Sequence, residues 1–223
     1  MFTDRDKAAV RAIVSIFETG RPRGNYAAVA VLDDGAGISY GAHQATDRSN
    51  ALDAIVRRYV ERGGKFAGRL SPYLAQFALN TPQSIARLGR DAALRSVLKK
   101  AAEEKLMRQI QDEVFDEKYM QPAIEAAEGS GWIYPLSLAV VYDSFIHGSW
   151  SRIRDGVPAG LPEKQWIARY VRERRAWLMS IGRLRKTVYR MDALQYLIDQ
   201  QCWQLATPFR VRGLTVTDEH LEV

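Results

Sequence analysis

Glu18-Thr-Gly-Arg-Pro-Arg-Gly-Asn-Tyr-Ala-Ala-Val-Ala-Val-Leu-Asp-Asp-Gly-Ala-Gly-Ile-Ser-Tyr-Gly-Ala-His43 is where the chain changes its period. Upstream, Ala8 to Thr19 places Val10, Ile13, Val14 and Phe17 at helical spacing, with Thr3 or Asp4 as cap and Gly20 as stop. Inside the stretch, Tyr26 to Leu32 reads as a strand, Asp33 to Gly37 as a turn and Ile38 to Tyr40 as a short return strand. A carboxylate closing an apolar helix is thus followed, 34 − 18 = 16 positions later, by a carboxylate pair in a glycine-flanked hairpin turn.

Beyond the hairpin the helical period takes over. Ser49 to Arg62 repeats at Leu52, Ile55, Val56 and Tyr59, with Ser49 or Asn50 as cap and Gly63-Gly64 as terminator. Ser71 to Leu79 and Pro82 to Leu88 predict shorter helices. Asp91 to Ala127 lacks strong breakers and predicts one long connecting helix, a spine between two lobes. Trp132 to His147 is nearly all apolar and predicts a buried helix. Pro162 to Ile181 and Thr187 to Gln200 predict further helices, and Thr207 to Val216 a terminal extended segment. The fold class is mainly α, an α+β arrangement with one small N-terminal β-hairpin and two helical lobes around a cleft. Residues 1–223 read as a single domain without a separate binding module.

Composition narrows the functional classes. The chain has 223 residues, 47% apolar and 26% charged with eight prolines, which excludes a disordered polymer or a collagen. A chain of this length buries roughly 70% of its unfolded surface and needs no staples. Cys202 is the only cysteine, so intramolecular disulfides are excluded. Lys and Arg outnumber Asp and Glu by 32 − 26 = 6, and that basic balance favours anionic partners. No signal peptide is visible in Met1 to Val14, and no apolar run reaches the ~18 residues of a membrane span. The expected localisation is synthesis in the cytoplasm and action in the cell envelope or outside, after lysis or dedicated export. His43, His147 and His220 are scattered without a ligand spacing, so neither a metal nor another cofactor is expected. Arginines at 169, 172, 174, 175, 183, 185 and 190 form a candidate nucleic-acid footprint, whose plainer reading is a solvated helix face; no nucleic acid is expected as partner. The sequence names no immunity or delivery partner.

The two carboxylate positions suit glycosidic hydrolysis, which needs one protonated acid for the leaving oxygen and one ionised base for water. Ser39, five positions after Asp34, is placed to hold that water. A Glu ending a helix is also commonly just solvated, and Asp-Asp-Gly is a common turn. Tyr26, Tyr40, Trp132, Trp150 and Trp166 carry rings suited to sugar faces or to core packing.

Glu18 followed by Asp34-Gly-Ala-Gly-Ile-Ser39-Tyr-Gly41 resembles the motif of glycoside hydrolase family 46, the chitosanase branch of the lysozyme superfamily. Val141-Tyr-Asp-Ser-Phe-Ile-His-Gly148, Arg152-Ile-Arg154, Glu173-Arg-Arg-Ala-Trp177 and Thr187-Val-Tyr-Arg-Met-Asp192 are similar to later family segments in the same order. The resemblance implies a lysozyme-like fold and an endo-acting, inverting hydrolase of β-1,4 aminosugar polymers. It implies Glu18 as general acid, Asp34 as general base with Asp33 the lesser candidate, and Ser39 as the residue positioning water. Arg190 matches an arginine facing the acid, with Asp143 and Arg175 behind it. Tyr26, Tyr40, His43, Gln44 and His147 are the substrate-binding candidates.

Two polysaccharide substrates remain. The positions where the family carries a substrate-binding acid correspond to Ser49, Asn50 and Ala51, and the family's arginine in the turn is Ala36. With a net charge of +6 these departures favour peptidoglycan, a muramidase activity degrading bacterial cell wall, over the polycation chitosan.

Overall fold

The computed structural model describes residues 1–32 and 35–222. Helix α1 (Asp4–Thr19) opens the chain. The Thr3 hydroxyl accepts the Asp6 N–H, and the Asp6 carboxylate accepts the Thr3 N–H at 2.9 Å. This reciprocal cap starts the helix one turn earlier than its apolar stripe indicates. Strands β1 (Val29–Leu32), β2 (Gly37–Tyr40) and β3 (Ala45–Thr46) form an antiparallel sheet in that order. Val31 pairs with Ile38, and Ser39 lies between Ala30 and Thr46. The first strand begins at Val29 rather than Tyr26 because Asn25 folds the preceding residues into a turn. Its side chain accepts the Ala27 N–H at 3.0 Å and its carbonyl the Ala28 N–H at 3.1 Å.

Helices α2 (Ala51–Glu61), α3 (Ala67–Leu70), α4 (Leu74–Leu79), α5 (Pro82–Arg90), α6 (Ala92–Ala101) and α7 (Lys105–Phe115) follow. A π turn over Asp116–Met120 carries α7 into α8 (Gln121–Gly129). Then come α9 (Pro135–Ile146), α10 (Trp150–Arg154), α11 (Glu163–Ser180), a 3-10 turn over Gly182–Thr187, and α12 (Tyr189–Asp199). The chain ends in the hairpin β4 (Phe209–Val211) and β5 (Leu214–Val216) with α13 (Asp218–Leu221). The expected long helix is therefore realised only from Lys105 to Gly129, and α6 is separate. Between them, Glu104 turns its carboxylate to Tyr59, whose hydroxyl donates at 2.6 Å, and to the Lys65 N–H at 3.3 Å. A tertiary contact, not a breaker residue, ends the helix there.

The chain divides into two compact units, Met1–Arg23 with Tyr119–Val223, and Gly24–Lys118. In the first, α9 is the centre: it is buried from Pro135 to Ser144 and is packed by α1, α8, α11 and α12. In the second, Ile38 and Tyr40 of the sheet join Leu52, Ile55 and Tyr59 of α2 with Leu98, Met107 and Ile110. The turn after β2 needs glycine at position 41. Its φ is 78°, and a Cβ there would lie 1.9 Å from the Gln111 Oε1. That oxygen accepts the Ala42 N–H at 3.2 Å, while the Gln111 amide donates to the Tyr26 carbonyl at 3.1 Å.

A carboxylate lies beside the start of β2. Asp47 is 5% exposed and its Oδ2 accepts the Ile38 N–H at 3.0 Å. Burial pushes its pKa up from 3.8 to about 6, against the opposing pull of that hydrogen bond. A carboxyl whose pKa is higher folded than unfolded binds its proton more tightly in the native state, so stability falls as pH rises through the interval between the two values. Asp47→Asn keeps an acceptor for Ile38 without the charge. Its stability relative to wild type should therefore rise with pH from below pH 4 to pH 7, by ~3 kcal/mol in total as read by urea unfolding. A difference that does not change with pH would contradict this.

Candidate active site

Glu18 lies in the last turn of α1, between buried Phe17 and Gly20. Gly20 takes φ 72° and donates its N–H to the Ile16 carbonyl at 3.0 Å, which stops the helix two residues after the carboxylate. The carbonyl end of a helix is an unfavourable place for a negative charge, so a cation must come from elsewhere. Arg190 of α12 supplies it: one guanidinium nitrogen donates to Glu18 Oε1. Arg190 is 4% exposed, and its other terminal nitrogen donates to Asp143 Oδ1 at 2.6 Å.

Asp143 of α9 is fully buried between two guanidiniums. Its Oδ2 accepts from Arg174 Nη1 of α11 at 2.6 Å. Arg174, also fully buried, donates further to Ser149 Oγ at 2.7 Å and to the Asp143 carbonyl at 3.3 Å. Burial alone would raise the Asp143 pKa, but Arg174 and Arg190 together hold it below the ordinary carboxylate range. Burial likewise works against the Arg190 charge, and Asp143 and Glu18 outweigh it, so its pKa lies above the usual value. His147 caps the end of α9 beside this cluster. Burial, then the positive charges of Arg174 and Arg190, push its pKa down, so it is neutral at pH 7.

Arg175 is not part of this chain of charges. It pairs with Asp192 at 2.7 Å, both about half exposed. Successive residues of a helix point about 100° apart, and Ile167, Tyr170, Val171, Arg174 and Leu178 make the buried stripe of α11. The spacing of that stripe in the sequence was the signal for Arg174.

In the second unit, Asp34 and its neighbour Asp33 lie outside the described residues. Ser39 sits in β2 and is 7% exposed. Tyr40 is 1% exposed and donates its hydroxyl to the Leu98 carbonyl at 2.9 Å, so it is a core residue rather than a sugar platform. His43 is likewise occupied: its ring stacks on Phe115 with centroids 4.3 Å apart, and Nε2 lies 2.7 Å from Asp112 Oδ1. Tyr26 donates its hydroxyl to the same carboxylate at 2.9 Å. The organising role of Asp112 had no sequence signal, since it depends on α7 meeting the two turns that flank the sheet. Gln44 is exposed, at φ 53° in the β2–β3 turn. In the first unit, Trp132, Trp150 and Trp166 pack on one another, with centroids 4.7–6.4 Å apart. Together with Arg154 and Asp155 they line a pocket of about 600 Å³. Among the described residues no cluster of His, Cys, Asp or Glu is arranged to hold a metal ion, and no helix is long and apolar enough to cross a membrane.

The family model described as glycosyl hydrolase family 46 matches residues 12–209. A chitosanase of Bacillus subtilis strain 168 is 26% identical over 228 residues, covering 93% of this chain and 82% of that protein. Among solved structures, a family 46 chitosanase of Gynuella sunshinyii in complex with chitotetraose superposes with a TM-score of 0.76 at 25% identity, over 97% of this chain and 98% of the other. The native chitosanase of Bacillus subtilis MY002 has the same fold, with a TM-score of 0.79 at 22% identity over 97% and 100% of the two chains.

The geometry separates two adjacent arginines. Arg174→Leu leaves Asp143 with one guanidinium and empties a buried polar site, and should cost about 3–5 kcal/mol. Arg175→Ala removes one exposed ion pair and should cost about 0–1 kcal/mol. Urea unfolding of both variants checks the order; equal losses would return Arg175 to the network.

Proposed function

The chain belongs to glycosyl hydrolase family 46, and on that premise we propose that it is an endo-acting, inverting chitosanase in which Glu18 is the general acid and Asp34 the general base. That it is a glycoside hydrolase follows from the family. The substrate and the residue roles are our reading, and the observation that carries the role of Glu18 is the buried Arg190–Asp143–Arg174 chain ending on it.

In such a reaction Glu18 gives its proton to the glycosidic oxygen as the bond breaks. Asp34 draws a proton from the water that attacks the opposite face of the sugar. Ser39 orients that water. Once Glu18 has lost its proton, Arg190 faces the new negative charge, and Asp143 keeps Arg190 from swinging away. Neutral His147, beside the same cluster, offers a hydrogen-bonding edge rather than a charge to the polymer.

Chitosan replaces peptidoglycan as the favoured polymer. The net +6 that favoured peptidoglycan belongs to the whole chain. Surface fields fade over roughly 8–10 Å at physiological salt, so net charge says little about one binding site. The relatives, by contrast, are chitosanases along nearly the whole chain. We further propose that the enzyme acts in or beyond the cell envelope, where such a polymer is met.

Glu18→Gln should lower kcat by about 10²–10⁴-fold while the protein stays folded. Asp34→Asn should lose most activity and Asp33→Asn much less; the reverse order would move the base by one residue. Wild type should release glucosamine oligomers from chitosan. Muramic-acid reducing ends from purified peptidoglycan, with chitosan left intact, would overturn the substrate.

A further inference from the structure

The residue just before Arg190 also reaches the helix of the acid. The Tyr189 hydroxyl donates to the Phe17 carbonyl at 2.7 Å, across 172 positions of sequence. That carbonyl belongs to the last turn of α1, where backbone oxygens lack an intrahelical partner, and the Gly20 N–H already serves Ile16. Tyr189 therefore satisfies the peptide immediately preceding Glu18, while Arg190 holds the Glu18 side chain. Two consecutive residues of α12 grip the backbone and the carboxylate of one site.

The tyrosine ring is itself held on two sides. It meets Phe17 edge-on, with centroids 6.2 Å apart and planes at 74°. The Arg212 guanidinium lies 4.0 Å from its centroid. Arg212 and Gly213 form the turn between β4 and β5, with φ 51° and 81°. A two-residue turn with positive φ at both positions matches the twist of a hairpin, but usually carries Asn, Asp or Gly first. An arginine there accepts an uncommon backbone conformation, and its guanidinium lies nearer the Tyr189 ring than that of Arg190, at 4.0 against 5.9 Å from the centroid.

We propose that Tyr189 is a positioning residue for the acid and that Arg212, delivered by the C-terminal hairpin, keeps its ring in place; this rests on Glu18 being the acid. The terminal turn of a helix frays readily, and small misplacement of a reacting group is expensive in rate. Tyr189 suppresses that fraying at the one turn where it matters for proton donation. The C-terminal hairpin thereby becomes part of the catalytic apparatus without touching substrate.

The test is steady-state kinetics on whichever of chitosan and peptidoglycan the wild type cleaves, with Glu18→Gln as reference. Tyr189→Phe keeps the ring and removes only the donor. Its kcat should fall about tenfold, with KM within about twofold and a melting temperature within about 2 °C of wild type. Arg212→Ala should lower kcat about threefold, and Arg212→Lys, which still places a cation over the ring, should restore it. Wild-type kcat in Tyr189→Phe overturns the proposal. So does a loss of kcat that only follows a fall in melting temperature, and so does failure of Arg212→Lys to recover what Arg212→Ala loses. If Glu18→Gln stays active, the assignment of the acid fails instead; a silent Tyr189→Phe beside an inactive Glu18→Gln sinks the positioning role alone.

Discussion

Two buried guanidiniums share one buried carboxylate in the first unit, and most of that unit's architecture answers to them. Arg174 and Asp143 are fully buried and Arg190 nearly so. Removing such charges from water costs several kcal/mol each unless they are paired and hydrogen-bonded. The matching comes from different elements: Asp143 from α9, Ser149 from the segment before α10, Glu18 from α1. None of these can shift by a turn without orphaning a charge. The apolar length of α9 fits this constraint, because it places Asp143 in the interior among Leu138, Val141 and Tyr142. The order of charges, alternating from Glu18 to Arg174, makes an exposed carboxylate the outer end of an interior structure.

The second unit holds its hairpin by other means. Close approach replaces charge: Gly41 lets Gln111 clamp the turns on either side of it, and Gly37 packs against Asp47, whose Oδ2 would be 2.6 Å from an added Cβ. The sheet rests on α2, α6 and α7 through Ile38 and Tyr40. Asp112 collects Tyr26 and His43 at one end of β2, and Asp47 takes the Ile38 N–H at the other. Polar groups therefore fix both ends of the strand that carries Ser39.

Features set by local rules were legible in the sequence. The helix before Glu18, its Gly20 stop and the hairpin that follows each rest on spacing or turn chemistry, and the family resemblance rested on several motifs in order. Features set by long-range contacts were not. A helical stripe distinguishes Arg174 from Arg175, yet nothing local says that an arginine belongs on an apolar stripe until a buried aspartate is found opposite it. The end of α6 depends on Glu104 meeting Tyr59 and Lys65. Tyr40 and His43 carry side chains suited to sugar contacts, and only their tertiary partners show that both are engaged internally. Net charge is a property of the whole chain and does not tell where along the fold the surplus cations lie.

The division of the chain has a consequence for the nascent protein. Gly24–Lys118 is one continuous stretch, whereas the other unit is made of Met1–Arg23 and Tyr119–Val223. During synthesis the continuous stretch has all its partners as soon as Lys118 has emerged. Helix α1 has none of its own: its buried face, from Val10 to Phe17, waits for α9, and Glu18 waits for Arg190. Domains generally fold as units as they leave the ribosome. Here α1, made before the whole second unit, finds its place after it, and a chain truncated before α12 would retain the carboxylate but lack the cation that faces it.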